Sequence, residues 1–389
     1  MRLRLCRRYL PVLLLLSALL QGAAAVGQEP LRIGVLLPGR ESTGSSNWNE
    51  LLAARAWERS SAKAASGVTI ELSFRDGGTT PANTVTAIRE LVDEEQVHGV
   101  VCCVTPASAA AVGSFTATLP ILALARPNPV GPGDDGPLIM AAGPLAQARA
   151  MALDARSAGR GVGLMTLDNG YGREAAAAVV AGLLEAGLAL SQAETYPPGA
   201  NVLTPEALLV AASQPGAVIV WGLPGDSATA IDALRARGYD GPIYIPWQLA
   251  TEFPGGVRNQ RLRGSRIAAP PSELAAVLPP EHPNAAAVQR YQRILAEAYG
   301  VYAPTYEGAL AVDALELLVN GGELALVYGV DPAATDRFRQ ALLDALIGLG
   351  PLSGAAGSYD YDGRNRELAL ARGLVIATPG VGGLHLAED

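Results

Sequence analysis

Few residues in this sequence are of a type and spacing that could do chemistry. Histidine occurs at His98, His282 and His385, far apart and in unrelated contexts, so neither a metal-ligand spacing nor a Ser/His/Asp arrangement can be drawn. Lys63 is the single lysine against 28 arginines, which leaves almost no candidate for Schiff-base chemistry or a phosphate-loop lysine. Ser227 in Gly225-Asp226-Ser227-Ala228-Thr229 lacks the second glycine of a nucleophile elbow. The glycines of Gly159-Arg160-Gly161-Val162-Gly163 precede a strand, whereas a dinucleotide fingerprint follows one. The acid runs Asp93-Glu94-Glu95 and Asp134-Asp135 read as solvated surface. No catalytic residue, metal or cofactor is therefore assigned.

What remains is chemistry suited to binding. Thr105-Pro106-Ala107-Ser108 stands where a strand gives way to a helix. Free backbone N–H groups there favour an anionic or strongly polar group, and the hydroxyls of Thr105 and Ser108 add donors. The same residues also suit an N-cap, and both roles can coexist. Arg126 follows another strand and could pair a carboxylate, or lie on the surface. Tyr171 sits in a turn after a strand, where its ring would suit a cation or an apolar body, or pack locally. Trp221, and Trp247 with Gln248, likewise stand at strand ends, and with aromatics at only 5% of the chain three in such places are notable.

The elements that must position these residues alternate. Leu31 to Leu37, Val68 to Phe74, Gly99 to Cys103 and Ile121 to Ala125 read as strands, with helices at Asn49 to Lys63, from the Asp76–Pro81 turn through Glu95, and from Thr105. The plan restarts with strands at Gly161 to Thr166, Leu188 to Thr195, Ala217 to Trp221 and Ile243 to Pro246, separated by helices at Gly172 to Ala186, Pro205 to Gln214 and Gly225 to Arg237. A strand at Ser265 to Pro270, three helices and short strands near Ser358 to Tyr361 and Leu368 to Ile376 complete it. Strand–helix alternation implies right-handed parallel crossovers, and continuous apolar strands imply sheets covered on both faces. The expectation is an α/β fold of two doubly wound parallel-sheet lobes joined by a multi-strand hinge. Lobe 1 would comprise 26–142 and about 268–350, lobe 2 143–267 and about 351–389, with crossovers near Pro127 to Ala142, Ala250 to Pro270 and Leu349 to Ser358.

Composition sets the compartment. Of 389 residues, 49% are hydrophobic and 17% charged, enough apolar material for sizeable cores. Residues 1–25 carry four arginines and no acid, then the apolar run Leu10 to Leu20 and the small residues Ala23-Ala24-Ala25, as a secretory signal peptide does. Its loss takes the formal charge from −8 to −12, and no basic stripe marks a nucleic-acid partner. Cys6 leaves with the signal. The adjacent Cys102 and Cys103 are read as buried small hydrophobes, since a bond between neighbours is geometrically strained.

The order of these elements resembles the type I periplasmic binding proteins, in particular the receptors of the branched-chain amino acid and amide ABC transporter group. The resemblance spans the mature chain. It is carried by Leu31 to Pro38, Asp76 to Pro81 with Val97 to Val101, Thr105 to Ala109, Asn169-Gly170-Tyr171-Gly172, Ala303 to Ala309 with Val312 to Leu315, and Tyr359-Asp360-Tyr361-Asp362-Gly363. It implies a periplasmic or extracellular receptor, not an enzyme, that closes over a small polar or amphipathic molecule and hands it to ABC permease subunits. A ligand-sensing module for a membrane signalling protein, and an exported enzyme, are the alternatives. Ala125 resembles a position whose backbone touches the ligand, and Tyr171 one that packs over it. The sequence departs from the family at Gly143 to Gln147, where Leu145 or Gln147 stands in place of the acid that holds an ammonium. Glu252 or Asp168 could compensate; otherwise a carboxylate or amide with an apolar tail is expected.

Overall fold

The computed structural model describes residues 29–39, 49–61, 67–127, 136–252, 255–300, 304–361, 366–380 and 382–387. The signal segment, Lys63, Asp134-Asp135 and Asp362-Gly363 lie outside them. The first sheet takes β1 (Leu31–Leu37), β2 (Ile70–Asp76), β3 (Gly99–Cys102), β4 (Ile121–Ala123) and β5 (Leu138–Ile139), in the spatial order β2-β1-β3-β4-β5, all parallel. Between them run α1 (Asn49–Ser60), α2 (Pro81–Asp93) and α3 (Pro106–Ala111). Strands β1 and β3 are buried almost throughout, as expected for a sheet covered on both faces.

The chain then crosses to α4 (Pro144–Ala155) and builds a second sheet from β6 (Val162–Leu167), β7 (Leu190–Tyr196), β8 (Ala217–Trp221), β9 (Ile243–Pro246) and β10 (Ser265–Ala269). The intervening helices are α5 (Gly170–Ala186), α6 (Thr204–Ala212), α7 (Pro224–Ala236) and the short α8 (Trp247–Glu252). Helices α9 (Ala285–Tyr299), α10 (Tyr306–Val327) and α11 (Thr335–Gly348) return to the first sheet: α9 and α10 pack on α1, and α11 on α10. Strands β11 (Leu352–Ser353), β12 (Ser358–Tyr359) and β13 (Ala369–Leu370) form a small antiparallel sheet in the hinge. Glu367 bridges to Ile139 on β5, tying that sheet to the first lobe.

Sequence periodicity misses one feature here. The single strand expected to end at Ile376 is a hairpin, β14 (Val375–Gly380) and β15 (Gly383–Leu386), which extends the second sheet antiparallel in the order β15-β14-β10-β9-β8-β6-β7. Its residues are only half-buried, so no continuous apolar run marks it.

The buried apolar residues form three clusters, the largest of which takes in residues of both sheets, and polar staples fix the hinge. Asn284 is fully buried and donates through Nδ2 to the carbonyls of Gly354 and Gly357, both at 2.8 Å. Asp313 of α10 accepts from the N–H groups of Ala355 (2.7 Å) and Ala356 (2.8 Å) and from the Tyr359 hydroxyl (2.8 Å). His98 is wholly buried: its Nδ1 accepts from the Arg32 N–H (3.0 Å), which leaves Nε2–H to donate to the Pro332 carbonyl (3.1 Å). Burial holds its pKa down at about 4, so it serves the core as a neutral ring. Cys102 and Cys103 are buried as expected, but they are joined as a disulfide. Cys103 takes a φ of 69°, a turn conformation that ends β3 just before Thr105.

Candidate functional site

Strand order decides where a ligand can sit. In an open parallel sheet the helices on either side of a switch in strand order diverge beyond the carboxyl ends, leaving a crevice. Both lobes present those ends to one cavity of about 760 Å³, within the range that takes a small molecule.

From lobe 1, Thr105 follows β3, and Ala125 and Arg126 follow β4; all three line the cavity. From lobe 2 come Tyr171 at the start of α5, Trp221 at the end of β8, and Trp247 with Gln248 after β9. Seven of the eight residues singled out from sequence thus converge on one space. Ser108 does not line it. Its hydroxyl is fully buried and donates to the Gly78 carbonyl at 2.6 Å, while its N–H donates to Thr105 Oγ1 at 3.2 Å in a reciprocal capping box. Ser108 thus serves the helix start as the N3 partner of the N-cap Thr105. Thr105 caps as well as lining, and donates to the Thr79 carbonyl at 3.0 Å. These bonds lace the β2–α2 turn to the start of α3, and Gly78 is needed there: with φ at +82°, a Cβ would lie 2.9 Å from the Leu36 carbonyl oxygen.

Arg126 does not offer a free cation. Its Nε donates to Glu367 in the hinge and its Nη2 to Glu174 on α5, so the guanidinium bridges lobe 1, hinge and lobe 2. Burial pulls its pKa down, but the two carboxylates outweigh that and raise it. The sequence-level pairing with a ligand carboxylate meets a site already occupied from within the protein.

The aromatic wall is also internally bonded in part. Trp221 Nε1 donates to the Tyr171 hydroxyl at 2.8 Å, so the two rings form one unit. The turn beneath Tyr171 depends on its neighbours: Asn169 Oδ1 accepts from the Gly172 N–H at 2.8 Å, and a Cβ on Gly172 would fall 1.9 Å from the Leu167 carbonyl oxygen. Gln147, where an acid was sought, is buried and works as a brace. Its amide donates to Gln248 Oε1 (2.8 Å) and the Ala142 carbonyl (3.0 Å), and its oxygen accepts from the Trp247 N–H (2.9 Å). Asp168 lies outside the cavity beside Arg173, whereas Glu252 lines it.

Sequence reasoning missed Glu50, Tyr306 and Glu307. Glu50 lies in the first turn of α1, where an acid reads simply as complement to the helix dipole. It is 7% exposed, lines the cavity, and has no hydrogen-bond partner for Oε2 among the described residues. Burial, with Glu307 nearby, pushes its pKa up to about 7. Tyr306 accepts from the Ala142 N–H at 3.2 Å, and its own N–H donates to Glu273 Oε1 at 2.8 Å. It stands inside the Ala303–Ala309 segment that carries the resemblance, which is the signal that could have flagged it. Among the described residues no cluster of His, Cys, Asp and Glu could hold a metal ion, and no helix is long and apolar enough to cross a membrane.

A two-lobed α/β chain with a cavity lined from both lobes and a multi-strand hinge has the architecture of a type I periplasmic binding protein. The family model described as periplasmic binding protein matches residues 30–374, and the chain belongs to that family. Among solved structures, an extracellular ligand-binding receptor from Rhodopseudomonas palustris HaA2 is similar at 22% identity and TM-score 0.66, covering 92% of this chain and 100% of its own. A leucine binding protein, LivK, from Thermotoga maritima MSB8 matches at 17% identity and TM-score 0.59 over 92% and 98%. A solute binding protein of an R. palustris ABC transporter, in complex with 4-hydroxybenzoate, matches at 14% and 0.60 over 93% and 96%. No curated protein compared with the chain matches it.

Proposed function

We propose that this protein is an exported solute-binding receptor. It captures a small polar or amphipathic molecule by closing its lobes and delivers it to the permease subunits of an ABC importer, with no chemical change to the ligand. The observation that carries this reading is the single cavity lined by residues from the strand ends of both sheets, Thr105 and Ala125 on one side and Tyr171, Trp247 and Gln248 on the other. A ligand touching both lobes binds the closed arrangement better than the open one, and that difference drives closure. The remaining cavity-lining candidates, Arg126 and Trp221, support the site through their bonds. The structurally similar proteins include a leucine binding protein and a solute binding protein in complex with 4-hydroxybenzoate, so the architecture admits amino acids and aromatic carboxylates alike. Residues 1–25 would direct export and be removed.

Native mass spectrometry of protein purified without denaturation tests the reading. A retained small molecule, released on unfolding and rebound by the emptied protein at one to one, is the expected result. Turnover of that molecule by the purified protein, or a protein that binds no solute from any class tried, would overturn it.

A further inference from the structure

Lobe 2 ends on an unpaired strand. β7 closes the second sheet, with β6 as its single strand partner among the described residues. In a parallel pair, alternate residues turn both N–H and C=O toward one neighbour. The Tyr196 carbonyl accepts from the Asp168 N–H at 2.8 Å, so Gln192, Glu194 and Tyr196 bond toward β6, and Ala193 and Thr195 turn their backbone groups outward. Free edges are commonly blunted by lysine, proline or a bulge. β7 has no lysine or proline, and its one irregularity, at Ser191, leaves Gln192 to Tyr196 in regular register.

Both helices beside this edge expose apolar side chains. On one face α5 packs against α4, β6 and β7, and leaves Ala177, Val180 and Leu184 in one exposed stripe, Leu184 by 78%. On the other face α6 packs against β6, β7 and α7, and leaves Leu208 and Leu209 each 51% exposed. Tyr196 joins the core beneath α6 with Ala207 and Val210, so Ala193 and Thr195 point to the α5 side, where both are exposed. Single exposed leucines mean little, but here helix, strand and helix are bare along one edge.

We propose that this edge is a homodimer interface, in which β7 pairs antiparallel with β7 of a second copy about a two-fold axis through Ala193. Ala193 then exchanges both backbone bonds with the partner's Ala193. The same register sets Gln192 against the partner's Glu194, an amide beside a carboxylate, whereas an axis at Glu194 would oppose like charges. The axis is perpendicular to the sheet, so α5 meets α5 on one face and α6 meets α6 on the other, Ala177 against the partner's Leu184. Seven residues make the edge about 23 Å long, and helix, sheet and helix make it about 30 Å tall, so about 700 Å² is available per copy, close to the ~800 Å² of a stable interface. An extended peptide would cover the strand and leave both helices bare; a second copy covers all three. Every element belongs to lobe 2, so the pairing leaves each cleft free to close and does not depend on which ligand it takes.

Analytical ultracentrifugation of the native protein, from about 1 to 100 μM, tests this. The expected species is a dimer. Ala193→Pro removes the outward N–H, which an edge strand tolerates within its own fold. Leu184→Glu places like charges across the axis at an already exposed position. Each should raise the dimer dissociation constant at least tenfold and leave the thermal midpoint of the monomer unchanged. Val327→Glu, a charge added at an equally exposed residue of α10 in lobe 1, should leave the dimer as it was. A monomer at every concentration, with this edge left to some other partner, would overturn the proposal. So would a dimer whose constant stays within twofold in either edge variant, or one that Val327→Glu weakens as much.

Discussion

Replacing Asn284 by alanine should loosen the hinge by an amount that can be worked from its bonds. Asn284 is wholly shielded from solvent, and its amide donates to the Gly354 and Gly357 carbonyls while Oδ1 accepts from the Ser358 hydroxyl at 3.2 Å. The Gly357 carbonyl keeps a second partner, the Gly354 N–H at 2.8 Å, so its loss is small. The Gly354 carbonyl and the Ser358 hydroxyl lose the asparagine, at about 1–3 kcal/mol for each buried polar group left unmade. A destabilisation of about 2–5 kcal/mol is expected, independent of pH because no charge is involved. Asn284→Asp should cost more than Asn284→Ala at pH 8, since a carboxylate would face two carbonyl oxygens in a dry site. Urea unfolding of the three proteins at matched slope reads both numbers. A loss below about 1 kcal/mol for Asn284→Ala, or an aspartate variant as stable as the parent, would refute the account of how the hinge is held.

Arg126→Leu removes the bridge between the lobes and leaves Glu367, only 13% exposed, without its partner. The ligand-free variant should be more open by small-angle scattering and less stable by about 1–3 kcal/mol; an unchanged scattering profile would show that the bridge does not set the resting lobe angle. Stability should also fall as pH rises from about 5 to 8. Burial lifts Glu50, Glu273 and Asp313 from ordinary carboxyl values to about 7 each, so in this window the folded state holds more protons than the unfolded. His98, held down at about 4, and His282, also lowered by burial, oppose this below their unfolded value near 6.5, but they count two protons against four once Glu316, likewise raised by burial, joins the carboxyls. Urea midpoints that rise steadily from pH 5.5 to 8 would contradict the balance.

The parts of this molecule that sequence discloses are those set by local rules. Apolar runs such as Gly99 to Cys103 mark buried strands, and strand ends in parallel sheets mark the cleft, so Thr105, Ala125 and Trp247 could be placed without coordinates. What could not be placed depends on partners distant in the chain. Arg126 meets Glu174 and Glu367, 48 and 241 residues away, and nothing in its neighbours distinguishes a bridging guanidinium from a free one. Ser108 looked equally suited to ligand and cap, and only the depth of its hydroxyl against Gly78 decides between them. Glu50 has the type and position of an ordinary first-turn acid; that it is buried and faces the cavity follows from α10 packing across α1. The bond between Cys102 and Cys103 goes with a positive φ at Cys103, a backbone state that adjacent cysteines do not announce.

The account stands most directly on closure. Small-angle scattering of the emptied protein, and of the same protein saturated with the small molecule recovered from its native form, should show a smaller radius of gyration when ligand is bound, because one molecule must touch Thr105 and Ala125 in one lobe and Tyr171 and Trp247 in the other. Superimposable profiles at proven saturation would contradict it.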